Sequence, residues 1–471
     1  MHHIEQIYIN GEFVTPHGTE RFDLFNPATA RVMGQVRLAD AVDAERAIAA
    51  AKAAFPAWSQ TRKQERIAAL QRMQAAVAAR HDDLLEAVIE EYGAPASRSA
   101  WMASYPAEAI GQAIVALEAF EFVMTAGAAR VEMTPLGVAG LITPWNSDAG
   151  FICGKLAAAL AAGCTAVIKP SEMSALQTQI VTEALHAADL PPGVFNIVTG
   201  RGDTVGETIS RHPDVAKISF TGSTQTGKAI LRNAAENFTR VTLELGGKSP
   251  TLILDDADIK QAVPLAVQAG LMNSGQACVA GTRILVPQSR KAEFEQALAQ
   301  AIAAVKSGDP RDSATGVGPM VSEKQWQRVQ GYIQRGLAEG ARLLAGGEGR
   351  PEGSRDGWFV RPTLFTDVHN QMVIAREEIF GPVLCLIAYR DEAEAIAIAN
   401  DTDYGLSALV LGGDVARARR VAAQIQSGRV LVNTLAHEPK APFGGFKHSG
   451  MGREMGTWGI SAFMEPKSIL G

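Results

Sequence analysis

Four cysteines stand in this chain, and one of them has unusual surroundings. Cys278 lies in NSGQACVAGTR, between Gly275 and Gly281 and among polar neighbours. Such a loop lets a carbonyl compound approach the sulfur and turns backbone N–H groups toward a developing oxyanion. Taken alone it also reads as an incidental loop cysteine. Cys153 and Cys164 sit in Ala-rich apolar runs and Cys385 in VLCLIAY, the surroundings of small core residues. Glu244 stands in VTLELGGK between Leu243 and Leu245. A carboxylate in an apolar strand is costly to bury unless it is used or paired, so Glu244 reads as a general base with a raised pKa or as half of a buried salt bridge. Asn146, in TPWNSD, offers an amide donor at a strand end or the side chain of a turn.

Three further stretches could hold a nucleotide. FTGSTQTGK (220–228) follows a strand-like run and opens a helical one, so its N–H groups could cradle a pyrophosphate or simply form a turn. TGRGDTVG (199–206) resembles a phosphate loop, but its last glycine comes one residue late for G-x-G-x-x-G. IKPSE (168–172) puts Lys169 and Glu172 at the carboxyl end of a strand, where open α/β sheets bind ligands and where solvated surface charge is also common.

The elements that must position these residues fall into two series. Residues 4–36 read as short strands, with an Asn10–Gly11 hairpin signal. Helices follow from Asp40, from Thr61 (with Gln64 completing a capping box), over 82–92 and over 105–124. From Gly137 short apolar strands (137–143, 165–170, 195–200, 216–222, 241–245) alternate with helices (151–163, 175–188, 204–212, 226–237). Near-continuous apolar strands separated by helices imply a parallel sheet covered on both faces, the doubly wound architecture of nucleotide-binding domains. A second alternation, with strands at 251–256, 282–287, 383–389 and 429–433, follows GGKSP, so two lobes meet near Gly246–Gly247.

At 471 residues, 47% hydrophobic and 20% charged, the chain is too apolar for disorder and long enough for two to four lobes. Lys+Arg 44 against Asp+Glu 50 leaves a net charge of −6, and no basic tract invites nucleic acid or an anionic membrane. The longest low-charge stretch, 131–155, is broken by Pro135, Pro144 and Asp148 and is no membrane span. The N-terminus lacks a secretory pattern, and so few cysteines make no disulfide framework; a cytoplasmic protein with free thiols is expected. His2 and His3 are assigned no role, and no metal site is expected.

Taken together these pieces resemble the NAD(P)-dependent aldehyde dehydrogenase superfamily. The likeness runs from about Tyr8 to Met464 and rests on TPWN (143–146), KPSE (169–172), FTGSTQTG (220–227), LELGGK (243–248), GQACVAGTR (275–283), EEIFGPV (377–383) and PFGGFKHSGMGRE (442–454), in the family's order. It implies an α/β fold with a Rossmann-type cofactor domain (1–117 and 137–246), an α/β catalytic domain (247–454) and a small β-element for oligomerisation (118–136 and 455–471). In that element the hairpin and the C-terminal segment pair between subunits, giving a homodimer or homotetramer.

The resemblance also implies roles. Cys278 would be the nucleophile that forms a thiohemiacetal and then a thioester. Asn146 and the Cys278 N–H would hold the oxyanion, Glu244 would activate the hydrolytic water, and Lys155 would assist near Glu244. NAD, with NADP as the alternative, would contact Thr143, Pro144, Trp145, Lys169, Ser171, Glu172, Gly202, Gly206, Phe220, Gly222, Ser223, Gly227 and Leu245. Lys169 and Glu172 would take the adenosine ribose, and Glu378 with Phe380 the nicotinamide ribose. Members that pass the acyl group to CoA typically lack the glutamate found here as Glu244, so hydrolysis is favoured over a CoA-acylating reaction, and the intact set of residues over a non-catalytic protein. Many members have Phe-Pro after the motif asparagine. Here Ser147 and Asp148 stand in a segment that lines the family's substrate tunnel.

Overall fold

A computed structural model describes residues 1–354 and 356–471. Five strands form the parallel heart of the first sheet: β1 (Val138–Ile142), β2 (Thr165–Lys169), β3 (Phe195–Ile197), β4 (Val215–Thr221) and β5 (Arg240–Glu244). Their spatial order is β5-β4-β1-β2-β3, so the winding reverses between β1 and β4. β1 and β2 are buried along their whole length, which is why their sequences run apolar rather than alternating. Helix α1 (Asp148–Ala162) buries Leu156 and Leu160 among fully buried alanines. Helices α2 (Ala175–Ala187) and α3 (Thr224–Ala235) are the further crossovers that bear on the site.

The hairpin Ile7–Ile9 and Glu12–Val14, with Asn10 at φ 54° in its turn, closes the β3 edge. Gly450–Met451 closes the other, antiparallel to β5, with Gly450 opposite Glu244.

The second sheet contains β6 (Pro250–Ile253), β7 (Arg283–Pro287), β8 (Arg342–Ala345), β9 (Thr363–Thr366), β10 (Val383–Tyr389), β11 (Ser407–Leu411) and β12 (Arg429–Val432), in the order β8-β9-β10-β7-β6-β11-β12. All are parallel except β8. Helix α4 (Ile259–Leu271) joins β6 to the cysteine loop. A small third sheet pairs Met464–Ile469, Ala129–Pro135 and Val123–Ala126 within the one chain.

The structure departs from the sequence reading at several helices. The second helix spans Lys63–Ala78, and its cap is Arg62, whose N–H donates to Glu65 at 2.6 Å, not Thr61 with Gln64. The Thr61 hydroxyl is already spent on the Trp58 carbonyl at 2.6 Å, and the Glu65 carboxylate suits the positive helix end better than an amide. The expected 82–92 helix is α-helical over His81–Ala87 and widens to a π-turn over Val88–Tyr92. The expected 105–124 helix is Ala96–Ala119, with Pro106 inside it, and Val123 and Met124 turn out to start a strand. Residues 204–206 belong to a wide turn, Gly202–Gly206, and only Glu207–Arg211 is helical. Strands β8, β9 and β11 carry no alternation signal strong enough to be read from the sequence.

Candidate active site

The residues singled out converge where β1, β4 and β5 end and the second lobe begins. Open α/β sheets leave a crevice at such a reversal, because the crossovers on either side run to opposite faces. There lies a cavity of about 440 Å³ whose walls include Cys278, Glu244, Asn146 and Lys155.

Cys278 is delivered by a tight turn. Helix α4 stops at Leu271, and Asn273 (φ 55°), Ser274 (φ 60°) and Gly275 (φ 73°) follow in the left-handed region. Two non-glycine residues in that region cost of order 1–3 kcal/mol each and persist only where the surroundings hold them. Here Ser274 Oγ accepts the Gly318 N–H at 2.9 Å, and Asn273 Nδ2 donates to the Asn146 and Gln276 carbonyls at 3.1 and 3.2 Å. A Cβ at position 275 would lie 2.3 Å from the Gly381 backbone, so glycine is what lets EEIFGPV pack on the cysteine loop. Burial pushes the Cys278 thiol up to about 12, and the carboxylates of Glu378 and Glu244 push in the same direction.

Asn146 follows β1, is buried, and donates one amide N–H to the Gln276 carbonyl at 3.0 Å. An amide has two such hydrogens, so one remains for a ligand. Glu244 ends β5, and both its oxygens are buried without a hydrogen-bond partner in the protein. Burial raises its carboxyl well above the usual range; Glu454 raises it further, and Lys155 and Arg453 oppose this. The segment after Phe443 braces it: Leu245 N–H donates to the Ser449 carbonyl at 2.9 Å, and Ser449 Oγ donates to the Gly246 carbonyl at 2.7 Å. Lys155 donates to Glu454 and, at 2.9 Å, to Ser219 Oγ.

The cofactor candidates lie along the same carboxyl-end rim. Lys169 Nζ meets Glu172 at 3.2 Å, and Arg201 reaches the same carboxylate at 3.4 Å. Burial raises the Glu172 carboxyl, yet Lys169 and Arg201 hold it below its ordinary value. Thr143 N–H donates to the Lys169 carbonyl at 3.1 Å, and Ser171 Oγ accepts from Met173 N–H at 3.3 Å. Pro144 carries the chain on to Trp145. Ser223 caps α3, accepting the Thr226 N–H at 3.2 Å, and Gly222 donates to the Glu244 carbonyl at 3.0 Å. Gly227 packs under Leu245, and Phe220 is buried beside Gly222. Nothing lies within 4 Å of the Cβ directions at Gly202 and Gly206, so their backbone faces open space.

Across the rim, Glu378 accepts the Gly247 N–H at 3.0 Å, and burial pushes its carboxyl up to about 7. Its Oε2 lies 2.3 Å from where a Cβ on Gly246 would stand. Phe380, at φ 61°, sets its ring edge-on to Trp145 with centroids 5.4 Å apart.

Asp148 differs from its expected place. It is fully buried at the start of α1, away from the cavity, accepting hydroxyls from Thr143 at 2.7 Å and Thr178 at 2.8 Å. Only Ser147 of that pair lines the cavity. Sequence reasoning also missed Glu454, Gln276 and Arg201. Glu454 stands 299 residues from Lys155 in sequence, and its motif was recognised without signalling that contact. Among the described residues no cluster of His, Cys, Asp and Glu could hold a metal, and no helix is long and apolar enough to cross a membrane.

A reversed parallel sheet beside a second α/β sheet, with a cysteine loop lining the cavity at their junction, makes this a two-lobed α/β molecule. The model of the aldehyde dehydrogenase family matches residues 13–469, and the chain belongs to that family. The 3-succinoylsemialdehyde-pyridine dehydrogenase of a Pseudomonas species is 44% identical over 474 residues, covering 100% of this chain and 99% of the relative. Among solved structures, a mutant aldehyde dehydrogenase C from Pseudomonas syringae, complexed with NAD+ and octanal, superposes with a TM-score of 0.97 at 44% identity, over 99% of this chain and 96% of that one. The Mycobacterium tuberculosis aldehyde dehydrogenase complexed with NAD+ gives 0.96 at 40% identity, over 99% and 98%.

Proposed function

We propose that this enzyme oxidises an aldehyde to a carboxylate with NAD, through a covalent adduct on Cys278 that water from the Glu244 side hydrolyses. The balance is RCHO + NAD+ + H2O → RCOO− + NADH + 2 H+. The observation that carries this reading is the shared cavity, whose lining includes a partly buried cysteine and a carboxylate with no protein donor.

The raised pKa of Glu244 makes its carboxylate the stronger base, suited to take a proton from the water that attacks the thioester. Cys278 sulfur bonds to the carbonyl carbon, and the free Asn146 N–H with the Cys278 N–H stabilises the oxygen. Loss of one such donor typically costs ~2.7–4 kcal/mol. The dinucleotide, when bound, supplies the hydride acceptor. The residues present fit it: open backbone at Gly202 and Gly206, a carboxylate at Glu172 for ribose hydroxyls, and Glu378 with Phe380 at the other end. Lys155, tied to Glu454 and Ser219, keeps a cation near Glu244.

Residues 1–117 with 137–246 act as the cofactor domain in this reading, 247–454 as the catalytic domain, and 118–136 with 455–471 as the oligomerisation element of a cytoplasmic homodimer or homotetramer. The test mixes the protein with NAD and an aldehyde panel, with and without CoA, following reduced cofactor. Turnover without CoA that Cys278→Ala abolishes while NAD still binds is expected. Turnover that requires CoA, no turnover at all, or retained activity in the alanine variant overturns the reading.

A further inference from the structure

Two guanidinium groups line the wall of the cavity and no part of the proposed chemistry uses them. Arg98 is the third residue of the helix Ala96–Ala119, whose first turn carries no acidic residue. That position adds the helix's own positive end to the arginine's charge, an arrangement that disfavours a cation. Its Nε is buried with no hydrogen-bond partner, and its guanidinium lies 3.9 Å from the centre of the Trp101 ring. Arg429, at the start of β12, donates only to Ser407 Oγ, at 3.2 Å, and lies over Phe443. Neither arginine forms a salt bridge among the described residues. His437 lines the same cavity.

The carboxylates that share the cavity do not neutralise them. Glu454 is engaged by Lys155 and Ser219, and Glu244 forms no salt bridge among the described residues. Burial draws both guanidinium groups below their ordinary range, opposed for Arg98 by Tyr92 and Tyr105 and for Arg429 by the Cys278 thiol, and no carboxylate opposes it in either case. A half-buried unpaired cation costs free energy that a bound anion would return, and guanidinium groups match a carboxylate in geometry. Apolar side chains such as Leu431, Leu435 and Met272 line the same cavity.

Resting on the reading of the enzyme given above, we infer that its aldehyde substrate carries an acidic group, a carboxylate at the far end of an apolar or aromatic body, which Arg98 and Arg429 receive while the aldehyde carbon faces Cys278. Arg98 and Arg429 are thus the specificity-determining residues of the tunnel.

The experiment compares charged and neutral partners of one shape: para-carboxybenzaldehyde against methyl para-formylbenzoate, and adipic semialdehyde against its methyl ester, each with NAD. We expect kcat/KM for the acid to exceed that for the ester by roughly tenfold or more in at least one pair, and the acid-to-ester ratio to collapse toward one in Arg98→Met/Arg429→Met. The lysine variants Arg98→Lys and Arg429→Lys should keep part of the ratio. Calorimetric binding of terephthalate against its monomethyl ester makes the same comparison without turnover, for variants that lose activity. A wild-type ratio at or below one in both pairs, or a ratio unchanged in the double methionine variant, overturns the inference. Failure of every aldehyde to reduce NAD would instead overturn the parent reading.

Discussion

Glu244 offers two carboxylate oxygens to a cavity in which no protein donor meets them, so its replacement by an amide removes a base without removing a structural contact. Glu244→Gln should therefore leave cofactor reduction in the first turnover and slow the second half of the cycle. A stoichiometric burst of reduced cofactor followed by a steady rate lowered ~10²–10⁴-fold is expected in stopped-flow absorbance. A burst that shrinks in proportion to the steady rate would assign Glu244 another role. In the proposed reading Glu172 meets the adenosine end of the cofactor. A carboxylate there accepts ribose hydroxyls and repels a 2′-phosphate, and unit charges ~4 Å apart interact by ~4 kcal/mol at an effective dielectric of ~20. Lys169 and Arg201 offset much of that, leaving an expected NAD preference of roughly ten- to a hundredfold, or ~1.4–2.8 kcal/mol. Glu172→Ala frees both cations, so kcat/KM for NADP should rise while that for NAD falls. An unchanged preference in the variant would show that Glu172 does not select.

At the scale of elements, the start of α1 is fastened by Asp148, held by Thr143 at the end of β1 and by Thr178 of α2. Burial pushes its carboxyl up to about 7, against an ordinary value near 3.8. The folded state thus keeps a proton that the unfolded chain releases, and stability falls as pH rises from about 4 through about 7. Over that window the loss is of order 2–4 kcal/mol. Glu91, which caps α2 by accepting the Leu176 and Gln177 N–H groups and is pushed up to about 8, acts in the same direction. Asp148→Asn should flatten the decline in denaturation midpoint between pH 5 and 8, and an equally steep decline in the variant would rule Asp148 out as its source. The junction of the lobes makes a second demand. A methyl group on Gly246 would collide with Glu378, so Gly246→Ala should raise KM for NAD roughly tenfold with a smaller change in kcat. Equal losses in both would place the damage in the chemistry instead.

The whole molecule leaves the strand Val123–Ala126 as an open edge, with Val123 and Met124 over 40% exposed. Open apolar edges are templates for further pairing. The C-terminal strand Met464–Ile469 pairs with Ala129–Pro135 of its own chain and forms the other edge of the same sheet, so two edges are open to a second copy, Val123–Ala126 being one of them. Val123→Lys/Met124→Lys should shift the mass seen by light scattering from an oligomer to a single chain, and an unmoved mass would locate the interface elsewhere.

Local sequence determined much of this protein. The apolar runs of β1 and β2 specify a buried parallel sheet because no other environment accepts them, and the glycines around Cys278 and after Glu244 mark close backbone approach. The strand-end positions of Asn146, Lys169 and Glu244 follow from the same alternation of strand and helix. Resemblance of the motifs supplied the roles expected of these residues. The tertiary structure alone decided the rest. Asp148 turned inward, because Thr143 and Thr178, from separate elements, offer two hydroxyls that only the assembled sheet and helices bring together. Glu454 came to Lys155 across 299 residues, and the left-handed turn at Asn273–Ser274 is held by Gly318 and by Asn146 from other segments. Arg98 and Arg429 share one cavity although 331 positions separate them, since a helix of the first lobe and a strand of the second both line it. Local propensity records what a residue prefers along the chain; which charges face one another in a low-dielectric cavity depends on how the two lobes close, and no local pattern encodes that.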